Sequence, residues 1–258
     1  MKIVIAPDSY KESLSASEVA QAIEKGFREI FPDAQYVSVP VADGGEGTVE
    51  AMIAATQGAE RHAWVTGPLG EKVNASWGIS GDGKTAFIEM AAASGLELVP
   101  AEKRDPLVTT SRGTGELILQ ALESGATNII IGIGGSATND GGMGMLTALG
   151  AVFRDAQGNR LTGSGAELEK IASADLSALP RVEIRVICDV TNPLLGLEGA
   201  TAVYGPQKGV TPELLPRLEA GMAHYARALA QAGCPDCALA GAGAAGGMGY
   251  ALAGVLGA

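Results

Sequence analysis

The sequence predicts an α/β protein, and three observations carry the prediction. Short apolar, β-branched runs end in glycine-rich polar loops that lead into helix-patterned segments, most clearly over residues 128–153. Apolar residues make up 47% of the 258 residues and aromatics only 4%, which describes a core of Ala, Val, Ile and Leu suited to buried parallel strands. The 37 glycines are about twice ordinary usage and gather at strand ends rather than spreading evenly. The length allows one large domain or two smaller ones.

Residues 2–6 (KIVIA) read as a strand ending in a polar loop that holds Asp8, Ser9 and Lys11. A helix follows, because Ser15 and Glu18 match a capping box and Val19, Ile23, Phe27 and Ile30 line one face. Residues 36–41 make a second strand, ending in the loop of Asp43, Gly44, Gly45 and Glu46. The next helix carries Val49, Met52 and Ile53 and stops at Gly58. Residues 62–91 change character: short extended runs alternate with Gly-containing turns, which predicts an antiparallel meander of three strands. A helix over 113–124 then leads into a strand over 128–133, a loop over 134–142 and a helix over 143–153. A strand over 182–188 ends at Asp189, Thr191 and Asn192, and residues 201–204 (TAVY) read as a short extended piece. A long helix with Leu218, Met222, Tyr225 and Leu229 closes at Gly233. A domain boundary near residues 60–66 fits the change of pattern.

The formal charge of −11, with no basic stripe, argues against nucleic acid as a partner. An anionic ligand needs local cations, and Lys11, Arg104, Arg112 and Lys208 lie in loop sequence, Arg104 reading as a solvated surface charge. The first nine residues read as a strand rather than a leader, no run reaches membrane-span length, and three cysteines point to a reducing cytoplasm. Cys234 and Cys237 have C-x-x-C spacing without a second pair, so they read as ordinary thiols in a helix-end loop.

Two glycine motifs are misleading. Residues 78–85 (GISGDGKT) spell a P-loop, but residues 85–90 read as a strand and not a helix, so the stretch is a hairpin tip. Residues 241–246 (GAGAAG) match a dinucleotide fingerprint, yet no acidic residue comes after them before Ala258 to hold a ribose. That argues against NAD and leaves open a phosphate-touching loop, a hinge or close packing. A nucleotide-dependent dehydrogenase would rest on these glycines alone.

The loop over 134–142 is the strongest functional signal. Gly134 and Gly135 let backbone N–H groups approach an oxyanion, the following helix start favours negative charge, and Ser136, Thr138, Asn139 and Asp140 add polar groups. The alternative is a polar strand-to-helix turn. With the loops at Asp8, Asp43 and Asp189, it follows the carboxyl end of a predicted strand, where open α/β sheets bind ligands. The four loops are therefore expected to converge on one cleft. A glycine-rich anion loop, carboxylates and loop cations suit phosphoryl transfer. Asp189 is a candidate general base or metal-associated carboxylate, with an Asx-turn as the alternative. Asp43 and Glu46 are candidate Mg²⁺ ligands through water, with helix capping as the alternative, and Lys11 is a candidate counter-charge.

Taken together, the motifs resemble the bacterial glycerate kinase family. They are APDSYKESLSA (6–16), PVADGGEGT (40–48), IEMAAASGLELV (88–99), TTSRGTGEL (109–117), GIGGSATNDGGMGML (132–146), CDVTNPL (188–194), YGPQKG (204–209) and GAGAAGGMG (241–249). The resemblance implies ATP- and Mg²⁺-dependent phosphorylation of D-glycerate to 2-phosphoglycerate, in a cytoplasmic homodimer. It implies two α/β domains, one Rossmann-like with a mainly parallel sheet, beside the short antiparallel meander. On that basis residues 1–62 form the N-terminal part of the Rossmann-like domain, and 63–258 a second α/β domain carrying the glycine-rich loops. The substrate and phosphate region would use Ser9, Lys11, Gly134, Gly135, Ser136, Thr138, Asn139, Asp140, Asn192 and Lys208, with Asp189 and Lys11 catalytic and Asp43 and Glu46 on the metal. Similar proteins continue beyond Ala258 with a Gly-Glu-Gly block and a Gly-Lys block that these residues lack. The alternative expectation is therefore a catalytically incomplete fragment that only binds ligands or partners.

Overall fold

The computed structural model describes residues 1–258 apart from Ser9, Lys11, Glu12, Pro40, Ala42, Asp43 and Glu46. The chain opens with β1 (Lys2–Ile5), α1 (Ala16–Ile30) and β2 (Gln35–Ser38), in which β1 and β2 pair in parallel across the helical crossover. Both halves of the capping box form: Glu18 N–H donates to Ser15 Oγ at 3.3 Å and Ser15 N–H to Glu18 Oε2 at 2.9 Å. Helix α2 (Thr48–Thr56) follows, then the strands β3 (Ala59–Thr66), β4 (Lys72–Ile79) and β5 (Thr85–Glu89). These are the expected meander, antiparallel throughout, and the P-loop look-alike is its β4–β5 hairpin, tightened by Ser80 Oγ donating to Asp82 at 2.6 Å.

The remaining elements are α3 (Ala91–Ser94), α4 (Arg112–Glu123), β6 (Asn128–Gly132), α5 (Met143–Ala148), β7 (Val152–Arg154), β8 (Ser173–Asp175), β9 (Glu183–Ile187), α6 (Ala200–Tyr204) and α7 (Leu215–Gln231), with a last helical stretch over 248–255. Strands β5, β6 and β9 run parallel, so one mixed sheet has the order β3-β4-β5-β6-β9. The meander is thus continuous with the parallel strands, while β7 and β8 form a separate antiparallel pair. Alternation assigns the faces. Ile79, Ala86, Ile88, Ile129 and Ile131 join the core with Leu117 and Ile118 of α4 and Met145 and Leu146 of α5. On the other face α2 comes so close to Gly78 that a Cβ there would meet Ile53 and Val49.

Three local expectations are corrected. Residues 201–204 are not extended but lie in α6, where Ala200 and Thr201 are buried and Tyr204 is tethered by a long-range hydrogen bond. The helix expected over 143–153 stops at Ala148, and Val152 and Phe153 start β7. On α1 only Val19 of the apolar stripe is buried: Ile23, Phe27 and Ile30 are exposed, Ile30 to 72%. A two-stranded sheet is too narrow to cover a four-turn stripe, and Phe31 adds only a stacked ring on Phe27, with centroids 6.4 Å apart. Residues 62 and 63, where the sequence reading divides the chain, are consecutive residues of β3.

Candidate functional site

A cleft of about 680 Å³ opens where the carboxyl ends of β5, β6 and β9 meet, the position at which parallel sheets bind ligands and a volume ordinary for a small-molecule site. Gly134, Gly135 and Ser136 follow β6 into its wall, Cys188 and Asp189 follow β9, and Glu89 and Ala91 come from β5 and α3. Gly44 and Gly45 enter from the β2–α2 connection, and Ala244 and Ala245 from the late glycine-rich loop. Among the described residues, the loops that follow β2, β6 and β9 therefore converge. Asp8 is not among the cleft-lining residues.

The expected site residues separate into layers. Gly134, Gly135, Ser136 and Asp189 line the cleft. Directly behind Ser136 stands Lys208, 1% exposed, its Nζ donating to Ser136 Oγ at 2.6 Å and to the Thr138 carbonyl at 2.7 Å. Burial pushes the Lys208 ammonium down to about 7, against the opposing charge of Asp140. Thr138, Asn139 and Asp140 are wholly buried beneath the wall. Asp140 accepts from Ser111 N–H at 2.8 Å, Ser111 Oγ at 2.7 Å, Gly142 N–H at 3.1 Å and Gly144 N–H at 3.3 Å. It ties the loop to the starts of α4 and α5, and burial pushes its carboxyl up despite those donors. Asn139 donates to Thr201 Oγ1 at 3.2 Å. Asn192 lies one step from the cleft, accepting the Tyr204 hydroxyl at 2.6 Å through Oδ1 and donating to the Glu198 carbonyl at 2.8 Å. The expected site residues Ser9, Lys11, Asp43 and Glu46 lie outside the described residues.

Several cleft residues escaped the sequence reading. Arg104 is not a solvated surface charge: it is half-buried on the cleft wall and its guanidinium reaches the Val99 and Gln207 carbonyls at 3.4 Å. Arg112, by contrast, pairs with Glu116 one turn on at 3.0 Å. Tyr204 and Glu89 also line the cleft. The signal for Glu89 was a carboxylate closing an otherwise apolar strand. The loop at 241–246 is packed as well as cleft-facing: Gly246 has φ +65° and a Cβ there would overlap the Thr138 carbonyl.

The donor set suits a hard cation with phosphate oxygens. Asp189 offers carboxylate oxygens in the cleft, while no group of three metal-binding side chains occurs among the described residues. Mg²⁺ needs only one or two carboxylates, because it keeps waters and takes substrate phosphates.

Known proteins resemble this chain over most or all of its length. The model of the Glycerate kinase family matches residues 3–258. The chain is 75% identical over 263 residues to a protein named glycerate 2-kinase from Escherichia coli (strain K12), covering 100% of this chain and 69% of the relative. It is 56% identical over 257 residues to the glycerate kinase of Bacillus subtilis (strain 168), covering 98% of this chain and 67% of that one. The fold superposes with a TM-score of 0.95 on a crystal structure of a candidate glycerate kinase 2 from Salmonella typhimurium LT2, at 63% identity, over 100% of this chain and 70% of that one.

Proposed function

The chain belongs to the glycerate kinase family, and from that premise we propose that it transfers the γ-phosphoryl group of ATP to D-glycerate, giving 2-phosphoglycerate and ADP with Mg²⁺ as cofactor. The observation that carries this reading is the Gly134–Gly135–Ser136 wall backed by buried Lys208. Lys208 donates to Ser136 Oγ, so the serine presents its own O–H to the cleft as a donor for an anionic oxygen. The lysine adds positive charge behind it without occupying ligand space, and half-buried Arg104, bonded to the Gln207 carbonyl beside it, adds more. In a chain of net charge −11 these cations give the cleft its affinity for anions.

Phosphoryl transfer asks the protein for positioning and charge rather than covalent chemistry. Asp189, exposed at the cleft on the end of β9, accepts the proton of the glycerate hydroxyl. Ser136 and the backbone of the glycine loop hold the anionic oxygens in place. Lys11 adds a counter-charge from the β1–α1 connection. Asp43 and Glu46, or Asp189 in place of its role as base, would hold Mg²⁺, which would supply positive charge against the phosphates. No helix among the described residues is long and apolar enough to cross a membrane. Three free cysteines suit a reducing cytoplasm, and a homodimer completes the reading.

Phosphorus NMR of the 258-residue chain with D-glycerate, ATP and Mg²⁺ tests it. A growing 2-phosphoglycerate signal is the expected result, and Asp189→Asn should slow it by about a hundredfold or more. Near-normal turnover by that variant removes Asp189 as the base. The exposed Ile23, Phe27 and Ile30 of α1 favour a second reading, a module that binds ligands without turnover. Ligand-induced thermal stabilisation with no ADP formed would establish it.

A further inference from the structure

Glu89 closes β5 at the cleft. Strand register pairs it with Gly132 of β6, and Gly132 with Ile187 of β9. The three residues therefore form one row across the carboxyl ends of the parallel strands, and paired positions face the same side of a sheet. That side is the one covered by α2, as the contact of Gly78 with Val49 and Ile53 shows.

Gly44 and Val49 meet this row, one near each end. Gly44 rests on Ile187, and its carbonyl fills the place where a side chain at Gly132 would be. The Gly134 N–H reaches the same carbonyl at 3.4 Å. At the other end Glu89 Oε1 accepts the Val49 N–H at 2.9 Å. The first turn of α2 leaves N–H groups to be satisfied, and the residue preceding the helix, Gly47, has no side chain to satisfy them. The Glu89 side-chain oxygen does so instead, reaching over from the sheet. The stretch from Gly44 to Val49 is also the covalent link between the β1–α1–β2 unit and the five-stranded sheet.

We propose that Glu89 is a positioning residue for phosphoryl transfer: by accepting the Val49 N–H it holds the start of α2, and through it Gly44 and Gly45, at the cleft, fixing one wall and the attachment of the N-terminal unit. The proposal rests on the kinase reading of the cleft. It assigns Glu89 a role through its hydrogen bond and its reach, not through its charge.

Two mild substitutions separate these properties. Glu89→Gln keeps the reach and an acceptor oxygen and removes the charge. Glu89→Asp keeps the charge and shortens the side chain by one methylene. The clamp predicts that E89Q holds kcat/KM within about fivefold of the unsubstituted chain while E89D loses about tenfold or more, mostly in kcat. It also predicts amide exchange at Val49 at least about tenfold faster in E89D than in E89Q, with thermal midpoints similar. The reverse order of activities, E89D above E89Q, makes the charge the working property and overturns the proposal. So does Val49 exchange that is the same in all three proteins. If the unsubstituted chain shows no turnover, the kinase reading fails, and Val49 exchange still decides the clamp by itself.

Discussion

Lys208 Nζ donates to Ser136 Oγ at 2.6 Å from a position only 1% exposed, so a buried cation sets the direction in which a cleft serine offers its proton. An ammonium has donors and no acceptor, which forces the serine to accept on one side and leaves its O–H for a ligand on the other. Ser136→Ala should lower kcat/KM for glycerate phosphorylation by about 10- to 100-fold, the worth of one hydrogen bond to a charged group. Lys208→Met should do much the same, because the freed hydroxyl can turn back to the Thr138 carbonyl. The double variant should then be little worse than either single one. Additive losses in a double-mutant cycle would show that the two residues act separately.

The same lysine gives stability a pH dependence of defined sign. Burial lowers its pKa from 10.5 to about 7 in the folded protein, whereas the unfolded chain keeps the ordinary value. Between those limits the unfolded state binds more protons, so stability rises with pH. The contribution is fully present above the unfolded pKa and is lost as pH falls through about 7. Thermal midpoints measured from about pH 6 to about pH 10, as the difference between the unsubstituted chain and Lys208→Met, should shift in favour of the former as pH rises. A flat difference would mean that Lys208 keeps its proton throughout.

Local pattern made much of this site legible, and tertiary contact hid the rest. Ile129 and Ile131 followed by Gly134 and Gly135 announce a buried strand and its loop, because β-branched burial and glycine freedom are properties of neighbouring residues. The β4–β5 hairpin was readable for the same reason, through the strand pattern after Lys84. Lys208 was visible as a loop cation, but its burial depends on Ser136 and Thr138, some seventy residues away in sequence. Tyr204 was hidden because Val203 and Tyr204 favour strands, whereas the stretch packs as a helix with Ala200 and Thr201 buried and Tyr204 bonded to Asn192. On α1 the periodicity identified the helix correctly, but a stripe does not say what covers it.

Asp140 should prove to be a fold residue whose loss reaches the cleft indirectly. It is wholly buried and holds four donors from three residues at the starts of α4 and α5. Asp140→Ala leaves those N–H and O–H groups unsatisfied and should destabilise the chain by about 3 kcal/mol or more. Asp140→Asn, which keeps one acceptor oxygen but sets an amide N–H₂ against backbone donors, should fall between. Urea midpoints at unchanged slope measure both. A loss below about 1 kcal/mol for the alanine variant would show that water replaces the carboxylate, and that the loop does not depend on it.

Adjacent residues of the late glycine loop should respond very differently to substitution. Ala245 and Gly246 both adopt left-handed backbone, with φ +52° and +65°. Ala245 carries a Cβ there at a cost of about 1 kcal/mol, and it lines the cleft. Ala245→Gly should therefore be close to neutral, relief of that strain offsetting the added freedom of the unfolded chain. Gly246 has the same conformational tolerance but no room. Its position presses on the Thr138 carbonyl, the group that receives Lys208, and its own carbonyl accepts from Gly141 N–H at 3.0 Å. Gly246→Ala must push the two glycine loops apart, at a cost of about 3 kcal/mol or more, through the overlap and the bonds it breaks. Thermal melts of the two variants make the comparison. Equal, small shifts would mean that the loops separate without strain, and that the late loop is a hinge rather than a packed support for the anion wall.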